Sequence, residues 1–398
     1  MRFLQADRVY PVSSGFIPDG LLAVEDDGTI REVIDPALQA DTALQLRGSG
    51  KIEVLKGWLI PGFINAHCHL ELSWMKGRIP PGNGLPDFIG NLVRLEAPSA
   101  EEVLQAMFDA EAEMQRNGIV GVGDISNTPV SVDVKKRGIL RYHTFVETFD
   151  LRPERAEEKY RDAVALSDLF LADGLRASVV PHSPYTVSGE LMRRINAGAA
   201  ADSALVSVHH QETGSEDLLF RSGSGELADF LLKAGAVCAS PDGRSSFENL
   251  SGLLKDCQRI LLVHNTYTGT DDYQRAAQAA GVYWWCLCPN ANRYIENRLP
   301  SLPMFFAAGD RVLFGTDSLA SNDSLSVLEE MKTVAAAYPE IPFGKLLSAA
   351  TINAARFFSW DDSLGSFEQG KRPGVNLLSN IDPLSVSGLT AHSSVKAI

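Results

Sequence analysis

The chain has 398 residues, 45% of them hydrophobic and 22% charged, which is the profile of a folded chain with room for one large α/β domain and a smaller one. A formal net charge of −14, with no run of Lys or Arg, argues against nucleic acid or an anionic membrane surface as the partner. No stretch of about 18 uninterrupted apolar residues offers a membrane span, and the opening "MRFLQADRVYPVSSG" lacks the apolar segment of a signal peptide. The five cysteines (Cys68, Cys238, Cys257, Cys286, Cys288) are an odd count in a long chain and read as reduced thiols, hence a cytoplasmic protein. Cys286 and Cys288 lack C-x-x-C spacing and read as ordinary strand residues.

In chain order, residues 1–57 read as short strands, with a hairpin signal at Asp27-Gly28 between alternating apolar residues. Eight short apolar runs follow, at 57–67, 118–126, 140–149, 175–185, 203–212, 259–267, 282–290 and 311–318. Helical patterns lie between them. "SAEEVLQAMFDAEAEMQRNG" opens on a Ser99/Glu102 capping box and stops at Gly118; "ERAEEKYRDAVALSDLFLADG", "GELADFLLKAG", "DDYQRAAQAAG" and "SLSVLEEMKTVAAA" are others. Eight alternations predict an α/β fold, a (β/α)8 TIM barrel over residues 58–358. An open doubly wound sheet is the alternative, but the Gly-rich phosphate turn that usually follows its first strand is missing. The strand-rich ends, residues 1–57 and 359–398, predict a small β-sandwich domain formed from both chain termini.

Six of the eight histidines fall in the apolar runs and His69 lies two residues past the first; His67, His69, His182, His209 and His264 sit near the C-terminal ends of their runs, as does Asp317. In a (β/α)8 barrel those ends converge on the active site. His67 and His69 are i and i+2, so on a strand both imidazoles face one side and can reach one metal. Imidazole with carboxylate suits Zn²⁺ or Fe²⁺, with a third ligand from another strand, an acid from a further one, and a position left open for water. Strand periodicity alone does not choose between His209 and His210.

"PGFINAHCH", a later H-x-x-E, a lone His and "GTDS", in that order, resemble the signature of the amidohydrolase superfamily over nearly the whole chain. "VVPHSPYTVS" and "GTDSLASNDSLSVLEEM" resemble, more finely, its S-adenosylhomocysteine/methylthioadenosine deaminase, chlorohydrolase and aminofutalosine-deaminase-like branch. The resemblance implies His67, His69, His209 and Asp317 as metal ligands. It implies Glu212 of "HHQE" as proton shuttle, His264 and Asp317 as groups that orient water, and His182 as a substrate-binding residue. The run at 175–185 holds no Lys, Glu or Asp to bridge two metals, and Glu147 is a weak substitute, so one divalent ion is expected, Zn²⁺ before Fe²⁺.

The stretch 74–96, rich in Pro and Gly, reads as a lid or a plain connection at the catalytic face. Trp74 could stack on a flat heterocycle and Glu71 could line the pocket; Asn292 and Arg293 (with Arg298) could hold a substrate tail. His69-Leu70-Glu71 also reads as the H-x-E of the cytidine deaminases, but the P-C-x-x-C of that fold is absent. The expected activity is deamination of a purine-nucleoside-like or related nitrogen heterocycle, a small-molecule substrate, and a homo-oligomer is allowed. The alternatives are hydrolysis of a C–Cl bond or a cyclic amide or imine on the same site, or an inactive homologue that only binds.

Overall fold

The computed structural model describes residues 1–236, 241–279, 282–307 and 309–398; Cys238 lies outside them. Each of the eight apolar runs contains a strand. Strands β1 (Arg2–Val9), β2 (Ile17–Pro18), β3 (Leu21–Val24), β4 (Ile30–Ile34) and β5 (Ile52–Pro61) precede a first parallel sheet, β6 (Phe63–Cys68), β7 (Ile119–Ser126), β8 (Arg141–Thr148) and β9 (Arg176–Pro181). A second parallel sheet holds β10 (Leu205–His210), β11 (Arg259–His264), β12 (Tyr283–Leu287) and β13 (Val312–Phe314), and β14 (Val375–Ser379) and β15 (Ser394–Ala397) complete the chain. Parallel strands need crossovers, and helices supply them. One of the expected ones, Ala100–Arg116, starts at the Ser99/Glu102 capping box read from the sequence.

Alternate residues of the strands serve two apolar layers. On β11, Ile260 and Leu262 join the large cluster that includes helix residues such as Leu250 and Leu254, while Leu261 and Val263 join a second cluster with Phe145, Val180, Leu313 and Phe358. Two-sided burial explains why these runs read as continuously apolar rather than alternating. The two parallel sheets meet at both seams through backbone bonds. His209 N donates to the His182 carbonyl (2.9 Å), and Thr316 N and Asp317 N both donate to the His67 carbonyl (3.0 and 3.1 Å).

The terminal segments depart from expectation. β1–β5, β14 and β15 lie in one seven-stranded sheet, order β15-β14-β5-β1-β3-β4 with β2 on β1, where a two-layer sandwich was expected. The second layer on part of this sheet is a helix, Ala40–Gly48, whose Ala43 and Leu46 cluster with Leu21, Ile34 and Ile52. That helix was missed because "ADTALQLRG" buries only Ala43 and has a weak apolar face. The β3–β4 hairpin forms as read, with Gly28 at φ 87°.

The run at 57–67 also proves to be two strands. β5 pairs with β1 and β14 and runs to Pro61, past the expected boundary at 57; β6 begins at Phe63 and pairs with β7. Gly62 makes the change of sheet. A Cβ there would meet Val120 Cγ1 at 2.4 Å and the Pro373 carbonyl at 2.6 Å, so only glycine lets the chain pass. No described helix is long and apolar enough to cross a membrane.

Candidate active site

Three imidazoles and one carboxylate meet where the C-terminal ends of the parallel strands converge. His67 Nε2 lies 3.1 Å from His69 Nε2, which lies 3.2 Å from His209 Nε2. Asp317 Oδ1 is 3.4 Å from His69 Nε2 and 3.6 Å from His67 Nε2. Four ligands held at 2.0–2.1 Å around one tetrahedral ion would stand about 3.3 Å apart. The donor set therefore fits one divalent cation.

Protonation fits as well. His209 Nδ1 is 2.9 Å from the His182 carbonyl, which can only accept, so Nδ1 carries the proton and Nε2 presents its lone pair. Burial, reinforced by the neighbouring imidazoles, keeps His209 well below the usual histidine range and His69 down at about 3, so both are neutral. Burial alone would raise the Asp317 carboxyl, but His67, His69 and His264 outweigh it and hold Asp317 ionised.

Local backbone geometry aims these groups. The β6/β7 register shifts between Asn65 and Cys68, and after this bulge Cys68 belongs to the outer apolar layer. On β10, His209 faces the site, whereas His210 faces outward, with its Nδ1 3.1 Å from Asn265 Oδ1 and its ring edge-on to Phe247. The alternation that sequence periodicity left open is thus resolved by position. On β11, strict alternation would send His264 outward with Ile260 and Leu262. Its φ of 73° turns it back, so that Nε2 stands 3.5 Å from Glu212 Oε1. Asp317 (φ 57°) and Gln211 (φ 43°) share this left-handed backbone, which is costly for residues other than glycine and concentrates at functional sites.

Glu212 is buried beside His264, and burial, with the charges of Asp317 and Glu296 adding, pushes its carboxyl well above the usual range. His264 Nδ1 is 2.9 Å from Asn292 Oδ1, while Asn292 Nδ2 donates to the His264 carbonyl at 3.2 Å. Asn292 is thus buried and committed to His264 rather than free towards a substrate.

The other expected substrate residues separate. The His182 ring centroid is 4.7 Å from that of His209, its Nδ1 is occupied by Thr186 Oγ1 at 2.8 Å, and burial lowers it to about 4. The Glu71 carboxylate accepts from Asn127 N and from Thr128 N and Oγ1, which tie it to the loop after β7. Trp74 is half-buried in a cluster with Met75, Ile79 and Ala320, with the Arg78 guanidinium 5.2 Å from its ring. Arg293 is exposed on helix Pro289–Glu296. The 74–96 stretch contains a helix, Leu85–Leu92, and is tied to helix Pro289–Glu296 by Gly82 N, Gly84 N and Leu85 N, which donate to the Tyr294 and Ile295 carbonyls and to Glu296 Oε1.

Two neighbours, Ser321 and Phe149, escaped the sequence reading, and a third, Glu147, was read only as a weak bridge. Ser321 Oγ donates to Asp317 Oδ2 and fixes that carboxylate. Phe149, 54% exposed just beyond β8, lies edge-on to His182 at 6.0 Å. Glu147, buried and raised to about 8 by that burial, sits 3.4 Å from His209 Nδ1, on the side of the ring opposite Nε2, rather than between two ion positions as a bridge would. A serine, a phenylalanine and an acid at strand ends carry no spacing signal of their own.

A parallel α/β frame with this rim defines a metal-dependent hydrolase. The chain belongs to the amidohydrolase family, which residues 58–392 match. It is 30% identical over 313 residues to an aminodeoxyfutalosine deaminase of Deinococcus radiodurans, covering 75% of this chain and 72% of that protein. Its fold is shared by the Helicobacter pylori aminofutalosine deaminase in complex with methylthio-coformycin (TM-score 0.81, 22% identity, 97% of this chain and 94% of that one). It is also shared by an atrazine chlorohydrolase of Arthrobacter aurescens complexed with zinc (TM-score 0.76, 16% identity, 100% and 93%).

Proposed function

We propose that the chain is an aminohydrolase that replaces the exocyclic amino group of a purine-nucleoside-like heterocycle by hydroxyl or oxo and releases ammonia. The observation behind this reading is the convergence of three Nε2 atoms and one Oδ1 at ligand spacing, with a protonatable Glu212 beside them. The Deinococcus relative's deaminase name supports the substrate class. The zinc in the chlorohydrolase supports zinc over iron. The backbone bonds at both seams support one (β/α)8 barrel, and the pairing of β5 with β1 and β14 supports a small domain from both termini whose first segment runs to Pro61 rather than to residue 57.

His67, His69, His209 and Asp317 would hold the ion. When bound it supplies a Lewis acid, which can bring the pKa of water down to about 7. Glu212 takes one proton from the attacking water and gives it to the ring nitrogen next to the amino-bearing carbon, a task suited to a carboxyl whose affinity for protons burial has raised. Asp317 and His264 orient the water, and Asn292 keeps His264 Nε2 turned towards Glu212. The second water proton leaves with the amine. One C–O bond forms, one C–N bond breaks, and ammonia departs.

The test is ammonia release from a panel of amino-purine nucleosides, with chloride release from 6-chloropurine riboside run beside it. Ammonia from at least one nucleoside is expected. Chloride alone, or no turnover by metal-loaded protein, would overturn the proposal.

A further inference from the structure

Lys135 and Asp124 are both completely buried and take no part in the chemistry above, yet they lie directly behind the first ligand pair. Lys135 Nζ is 2.7 Å from Asp124 Oδ2 and donates to Ser126 Oγ and Thr144 Oγ1, each at 3.0 Å. All three ammonium protons thus have an acceptor. The other oxygen, Asp124 Oδ1, accepts from Leu70 N at 2.8 Å. That N–H belongs to the peptide bond joining His69 to Leu70. Asp124 also stands opposite Cys68 in the β6/β7 register, on the far side of the bulge that turns His67 and His69.

Stability alone gives little reason for such a pair, because replacing a buried ion pair with apolar groups of similar volume is often neutral or better. Its geometry gives a different reason. The lysine, itself held by Ser126 on β7 and Thr144 on β8, fixes the aspartate, and the aspartate then fixes the backbone at the point where the chain leaves His69. Without it, the turn after His69 would lose an anchor, and the Nε2 atoms spaced 3.1 and 3.2 Å apart would be free to spread.

We propose that Asp124, held by Lys135, is a positioning residue for the metal ligands His67 and His69, acting through the Leu70 N–H. This rests on the proposed ligand set. The test compares two double variants that leave no unpaired buried charge: D124N/K135M keeps an oxygen acceptor for Leu70 N, and D124L/K135M replaces it with an apolar side chain of similar volume. Zn²⁺ affinity is measured by competition with a chromophoric chelator, and thermal melting is recorded alongside. The Asn form should bind within about threefold of the parent. The Leu form should bind about tenfold or more weakly, the range seen when partners of metal ligands are lost. Should the Leu form fail to fold, D124A/K135M takes its place with the same expectation.

Equal Zn²⁺ affinity in folded acceptor-free and acceptor-keeping forms would overturn the inference. So would an Asn form as weak as the Leu form. Failure of the parent itself to bind Zn²⁺ would instead overturn the ligand assignment, which keeps the two readings distinguishable.

Discussion

Replacing Glu212 with Gln removes one proton site and little else. The amide has the same shape, and the main-chain N–H of residue 212 still donates to Glu216 Oε2 at 3.3 Å. None of the four converging ligand atoms belongs to residue 212, so metal content should be unchanged. Glu212 is asked to move a proton twice, from water and onto the ring nitrogen. General acid–base steps contribute about 10²–10⁴ each, so turnover should fall by at least about 10³, or about 4 kcal/mol of transition-state stabilisation. A coupled ammonia assay on the preferred nucleoside reads the rate, mass spectrometry of the metal reads occupancy, and a thermal melt reads the fold. A fully metallated, folded variant within tenfold of the parent would refute the role given to Glu212.

Other expectations follow from the same geometry. His69→Ala removes the nitrogen lying between His67 and His209, and metal in the purified protein should drop to background by elemental analysis. Asn292→Ala strips the buried His264 Nδ1 of its acceptor; it should cost about 1–3 kcal/mol in urea unfolding and lower kcat at unchanged metal content. Gly62→Ala forces a methyl against Val120 and the Pro373 carbonyl and should destabilise by about 1–3 kcal/mol, read from the urea midpoint. Burial raises the Glu216 and Glu330 carboxyls to about 8 from an unfolded value of 4.5. Between those limits the folded state binds more protons than the unfolded one, so stability should fall as pH rises, by about 1.4 kcal/mol per pH unit for each such group. Urea midpoints at pH 5.5 and 8.0 check this, and Glu216→Gln should flatten the slope.

Strand positions were legible because the strands of the two parallel sheets are buried on both faces and read as apolar runs bracketed by helix signals. The ligand rim was legible because histidine and aspartate are poorly suited to the ends of such runs unless something there uses them. Direction was not legible. His264 lies on the wrong parity of β11 and reaches the site only through a left-handed backbone, which a histidine in a sequence does not announce. Strand periodicity could not tell His209 from His210; the H-x-x-E resemblance pointed to His209, and Phe247 is seen to cover His210. Asn292 was read as a substrate contact because it follows a strand end, but its partner is 28 residues away in sequence. The Ala40–Gly48 helix and the division of 57–67 at Gly62 depend on contacts with Leu21, Ile34, Val120 and Pro373, none of them local.

The continuity of β5 into β6 has a consequence for how the protein is made. The strand that ends in His67 emerges from the ribosome early, but it is pinned at its base by β14, through the Val375–Pro61 and Leu378–Trp58 pairs, and at its tip by the amides of Thr316 and Asp317. At roughly 5–20 residues per second, the His67–His69 hook must wait tens of seconds for those partners to be synthesised. Until then the strand has only β1 and β7 as partners, and its two imidazoles lack the ligands that complete their site. The metal-ready rim is therefore a late product of folding, complete only once the segment from Thr316 to Leu378 is in place.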